Sequence, residues 1–97
     1  MKQPSLGFIG AGNMAGALIG GLVADGYPAD HLWVSDIDTQ ALARLAGAHG
    51  VQTSARNAIV AEHAEVLVLA VKPQILGGVV RDLADIIQAR RPLVVSI

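Results

Sequence analysis

Phe8-Ile9-Gly10-Ala11-Gly12-Asn13-Met14-Ala15 is the stretch on which the fold of this chain turns. From Gly10 it reads G-x-G-x-x-A. Leu6–Gly10 before it reads as a short buried strand. Asn13–Asp25 after it reads as a helix ending near Gly26, with Pro28 barring continuation. In that frame each small residue has a mechanical task. Gly10 permits a tight turn out of the strand, Gly12 lets backbone approach a pyrophosphate, and Ala15 lets the helix lie close on the strand. The helix start then presents unpaired amides and a positive dipole end to phosphate. Gly/Ala-rich sequence meets this pattern by chance, so its place at a strand-to-helix turn is what gives it weight. A turn kept glycine-rich for packing alone is the competing reading. Gly16, Gly20 and Gly21 lie inside the helix and are read as close-packing positions.

Outward from the loop, Leu32–Ser35 reads as a second strand that ends at Asp36, about 20 residues past the glycines. A dinucleotide-binding unit places there the group that meets the adenosine ribose. A carboxylate accepts hydrogen bonds from the ribose hydroxyls of NAD and repels the 2′-phosphate of NADP. Residues 35–40 contain no arginine or lysine, and Arg44 lies a helix turn further on. The electrostatics at Asp36 therefore favour NADH. Asp38 is read chiefly as the cap of the next helix, which runs to about His49 and stops at Gly50.

A brief strand at Val51–Thr53 and a helical stretch over Asn57–His63 follow. Glu65–Val71 (EVLVLAV) is an unbroken apolar run, as expected of a central parallel strand. Lys72-Pro73 breaks it. Ile75, Leu76, Val79, Val80, Leu83, Ile86 and Ile87 then recur at helical spacing, up to Arg90–Arg91 and Pro92. Leu93–Ile97 reads as a further strand. Alternation of strands and helices predicts an α/β doubly wound parallel sheet of the Rossmann type, with about five strands in the order 3-2-1-4-5. Residues 1–97 are expected to form one NAD(P)-binding domain, and a chain stopping on a strand looks truncated. An exposed fifth strand is expected to leave apolar surface prone to non-native association.

The composition narrows the function classes. It is 53% apolar and 15% charged, with a net charge of −1 and a mean hydropathy of +0.51. That is too hydrophobic for disorder and suits strands covered on both faces. The charge balance argues against nucleic acid as a partner. Without cysteine there is no disulfide framework and no thiolate metal site, which fits a cytoplasmic location. Ser5–Ala24 is uncharged and superficially resembles a membrane span or signal peptide, but its glycines speak against a spanning helix. His31, His49 and His63 are scattered and read as surface residues, and no spacing points to a metal.

Phe8–Leu22 (FIGAGNMAGALIGGL), Leu69–Gln74 (LAVKPQ) and Val94–Ile97 (VVSI) together resemble the N-terminal domain of pyrroline-5-carboxylate reductase. The likeness covers essentially the whole chain. Asn13-Met14 and the Val-Lys-Pro-Gln exit are more specific than the glycine loop. The resemblance implies an NAD(P)-dependent imine reductase that converts 1-pyrroline-5-carboxylate to L-proline, the last step of proline biosynthesis. It implies that Ile9, Gly10, Ala11, Gly12, Asn13 and Met14 line the dinucleotide and that Ser35, Asp36 and Asn57 meet the adenosine ribose. Ala70, Val71, Lys72 and Pro73 would run beside the pyrophosphate and nicotinamide ribose. It further implies a C-terminal helical domain, absent here, that builds a homo-oligomer and most of the substrate pocket, so the fragment alone should be inactive. Many members prefer NADPH and carry small hydroxyl residues where this chain has Asp36, so NADP and NAD both stay open. Catalytic residues are unknown on this reading, and the only other partner is the small imine substrate, with no membrane. The alternatives are a 3-hydroxyacid or 6-phosphogluconate-type dehydrogenase domain and a non-enzymatic dinucleotide-binding regulatory module.

Overall fold

The computed structural model describes residues 3–97. Its elements run β1 (Leu6–Ile9), α1 (Asn13–Ala24), a 3₁₀ turn (Ala29–His31), β2 (Leu32–Ser35), α2 (Thr39–His49), β3 (Gln52–Ser54), α3 (Asn57–His63), β4 (Val66–Leu69), α4 (Pro73–Arg90) and β5 (Leu93–Ser96). The strands form one sheet in the order β3-β2-β1-β4-β5. Every neighbouring pair is parallel, with Leu6 of β1 opposite both Leu32 and Val66. This is the expected doubly wound order.

Alternation along the strands sorts the core into two halves. Phe8, Leu32, Val34 and Val68 pack with Ala15 and Ile19 of α1 and with Ala41 and Leu42 of α2. On the other face Ile9, Leu67 and Leu69 pack with Val60 and Ala61 of α3 and with Val79 and Leu83 of α4. Gly7 sets how close α3 can lie: a Cβ there would stand 2.8 Å from both Ala64 Cβ and Val60 Cγ1.

The structure shifts several expectations. The third strand is Gln52–Ser54 rather than Val51–Thr53, with Val51 buried at its entry. Pro73 does not merely end β4; it occupies the first turn of α4, where its fixed φ and missing N–H fit. Gly16 and Gly20 face Leu45 and His49 of α2, whereas a Cβ on Gly21 would meet nothing within 4 Å, so close packing explains only the first two. All four residues of β5 are exposed, against the expectation of strands covered on both faces. Register explains the difference: Leu93 and Val95 lie opposite Val66 and Val68, on the α1 side, where α1 and α2 pack over the other half of the sheet. Among the described residues no helix is long and apolar enough to cross a membrane.

Candidate dinucleotide cleft

The site forms where β1, β2 and β4 end together. Ladder hydrogen bonds carry the strands right up to the turn: the Gly10 amide donates to the Ser35 carbonyl and the Ala70 amide to the Ile9 carbonyl, each at 2.8 Å. The chain then turns sharply at Gly10, with φ +109°, and a Cβ there would lie 2.5 Å from the Ala70 carbonyl oxygen. The fold itself therefore demands this glycine. Gly12 is different. It precedes α1 with an extended backbone, φ −75° and ψ −172°, and a Cβ on it would meet nothing within 4 Å. Neither conformation nor internal packing requires glycine there, and it borders the cleft. A residue kept bare beside a cleft suits a group that must approach the backbone, as a pyrophosphate does. The first-turn amides of α1 have no intrahelical acceptors, and no side chain caps them. These residues fit a dinucleotide.

The end of β2 is held by two aspartates. Asp36 Oδ2 accepts the Ala11 amide at 2.8 Å, and Oδ1 accepts the Asp38 amide at 2.9 Å. Asp38 Oδ1 accepts from the Gln40 and Ala41 amides and caps α2, as expected. Ser35 is fully buried and its hydroxyl donates to Asn57 Oδ1 at 2.7 Å. That bond ties the start of α3 to the same strand end.

A cleft of about 360 Å³ opens over these ends. Of the residues expected from sequence, Ile9, Gly10, Gly12, Ser35, Asp36, Asn57, Ala70, Val71 and Lys72 line it. Ala11 is buried beneath the loop with its amide given to Asp36. Asn13, Met14 and Pro73 are exposed outside the lining. Ile37, Ile75 and Val79 line the cleft without having been expected there. Ile37 had a signal, an aliphatic residue between two aspartates in a loop. The other two were absorbed into the helical core pattern.

The histidines depart from the simple surface reading. His31 is half-buried, its Nδ1 3.1 Å from the Gln3 carbonyl. His49 is half-buried too, and a Cβ on Gly20 would come within 3.3 Å of its ring. His63 is exposed but stacks on Trp33 with ring centroids 4.0 Å apart. Among the described residues no group of three or more His, Cys, Asp or Glu is placed to hold a metal.

Residues 5–97 match the protein family described as NADP oxidoreductase, coenzyme F420-dependent. The chain is 42% identical over 97 residues to pyrroline-5-carboxylate reductase of Pseudomonas aeruginosa, covering 100% of this chain and 35% of that protein. It superposes on the structure of a pyrroline-5-carboxylate reductase from Coxiella burnetii with a TM-score of 0.95 at 35% identity, over 99% of this chain and 36% of that one. The crystal structure of Plasmodium falciparum pyrroline carboxylate reductase with NADP bound gives 0.78 at 25% identity, over 100% and 34%. The chain thus spans about a third of the length of the curated relatives it matches.

Proposed function

The chain belongs to the family of NADP oxidoreductases, coenzyme F420-dependent, and on that premise we propose that it is the cofactor-binding part of a pyrroline-5-carboxylate reductase. The reaction is NAD(P)H-dependent reduction of the C=N bond of 1-pyrroline-5-carboxylate to L-proline. The observation that carries the reading is the full-length likeness to proteins of that name, at 42% identity with the Pseudomonas aeruginosa enzyme. The cleft geometry supports it.

Bound nicotinamide supplies the hydride, and the protein's part is to hold and orient it. Gly12 and the first-turn amides of α1 receive the pyrophosphate, over a turn that Gly10 makes possible. Asp36, fixed by the amides of Ala11 and Asp38, presents its carboxylate to the adenosine ribose. Asn57, held by Ser35, approaches from the α3 side. Ala70, Val71 and Lys72 line the β4 side of the cleft, with Pro73 opening α4 beside them. The substrate pocket and the homo-oligomer contacts belong to the part of the relatives' length beyond this match, and the enzyme works in the cytoplasm.

Calorimetric titration of the 97-residue chain with NADH and NADPH tests the reading. Binding of at least one of them is expected, without conversion of pyrroline-5-carboxylate by this chain alone. Absence of dinucleotide binding overturns the proposal. Proline formation by these 97 residues overturns the placement of the substrate site.

A further inference from the structure

Two exposed aliphatic side chains border the same cleft from different elements. Ile37, in the turn after β2, is 92% exposed, and Ile75, on the first turn of α4, is 50% exposed. Val79, one helical turn beyond Ile75, lines the cleft floor and is buried. A large aliphatic group held in water forgoes the stabilisation that burial gives. Ile37 is nevertheless fixed there. The carboxylate before it binds the Asp38 amide, and the carboxylate after it binds the amides of Gln40 and Ala41. The loop is braced on both sides of the isoleucine, so its exposure is part of the architecture.

We infer that Ile37 and Ile75, with Val79 beneath, form an aliphatic slot that takes the flat faces of the adenine base. The assignment rests on the dinucleotide reading above and adds residues to it. A planar heteroaromatic group has two apolar faces and a polar edge, and the slot offers the same pattern. Its walls are aliphatic, and its neighbours Asp36 and Asn57 are polar. The Asn57 carbonyl oxygen is engaged by Ser35, which leaves its NH₂ as the donor for an edge nitrogen of the base. Adjacency selects the end of the dinucleotide: Ile37 directly follows Asp36, the ribose reader, so the base beside it is the adenine and not the nicotinamide.

The test uses the 97-residue chain and its Ile37→Ser, Ile75→Ser and double variants, titrated with ADP and with nicotinamide mononucleotide. Each single change is expected to weaken ADP about fivefold and the pair about twentyfold, from lost apolar contact. Binding of nicotinamide mononucleotide is expected to stay unchanged. Ile37→Leu, which keeps the aliphatic wall, is expected to bind ADP within about twofold of the parent. Thermal midpoints of the exposed-site variants should stay near the parent's, which separates lost contact from lost fold. If the double variant binds ADP as the parent does while the parent still binds NADH, the slot is wrong and the dinucleotide reading stands. If the parent binds neither ADP nor NADH, both fall.

Discussion

The amide of Ala11 donates to Asp36 Oδ2 at 2.8 Å, so the turn that receives phosphate is latched to the residue that faces the ribose. The other oxygen of Asp36 accepts from Asp38. Both oxygens are thereby tethered, and the carboxylate is not able to swing aside for a 2′-phosphate without giving up a hydrogen bond.

Asp36→Ser is therefore expected to do two things. It removes the like charge that opposes NADPH, moving the NADPH-to-NADH affinity ratio towards NADPH by about tenfold or more. It also strips the Ala11 amide of its acceptor, a loss of about 1–2 kcal/mol of stability. Paired cofactor titrations and a denaturant melt measure both. An unchanged ratio removes Asp36 from the role of ribose reader.

Ser35→Ala probes the neighbouring link. The hydroxyl is fully buried and is the donor to Asn57 Oδ1, so its loss leaves a half-buried acceptor unpaired beside the cleft. About 1–2 kcal/mol of stability should be lost, together with weaker dinucleotide binding as Asn57 loses its fixed orientation. Urea unfolding of the variant showing no change in midpoint would sink this account.

These links mark the boundary of what sequence reveals here. The glycine turn was legible because its requirement is local: a strand, a positive φ and a helix start lie within eight residues. The sheet order followed from the alternation of strands and helices, and β4 from an unbroken apolar run. The latch from Asp36 to Ala11 spans 25 positions and depends on how two strand ends meet, which no local pattern encodes. Ile37 reads as an ordinary loop residue until the braced turn shows it held in the open. Ile75 and Val79 obey the helical period that marks core, and the period does not tell which of its members lie at the end bordering a cleft. The exposure of β5 was misjudged for a related reason, since apolar composition reports the wish for cover and not the helix that supplies it.

At the opposite end of the sheet Tyr27 donates its phenol to the Pro4 carbonyl. Burial pushes the Tyr27 phenol above its ordinary value of 10.0, and the charge of Glu65 pushes it the same way. A folded-state value above the unfolded one means that folding favours the neutral phenol. That contribution is whole below pH about 10 and is lost as the pH rises through the folded-state value. The parent chain should lose thermal stability across this alkaline window more steeply than Tyr27→Phe, which has nothing to ionise there. Parallel melting curves for the two chains between pH 9 and 11, a span of about one unit either side of the free phenol's value, would contradict it.

Gly10→Ala and Gly12→Ala separate the two roles that glycine plays in one loop. At position 10 a methyl group faces both a φ of +109° and the Ala70 carbonyl at 2.5 Å. The backbone of two strands would have to part, and a loss of about 2–4 kcal/mol is expected, lowering the thermal midpoint of a domain this size by about 10 °C or more. At position 12 the backbone is already one that alanine adopts, and the methyl group meets nothing. Stability should hold or rise slightly, by up to about 1 kcal/mol through the stiffer unfolded chain. Dinucleotide affinity should nevertheless fall about tenfold or more, because the methyl group projects where the pyrophosphate must rest against backbone. A Gly12→Ala chain that melts like the parent and binds NADH like the parent would show that the bare side of Gly12 receives nothing, and the phosphate would then have to lie elsewhere along the first turn of α1.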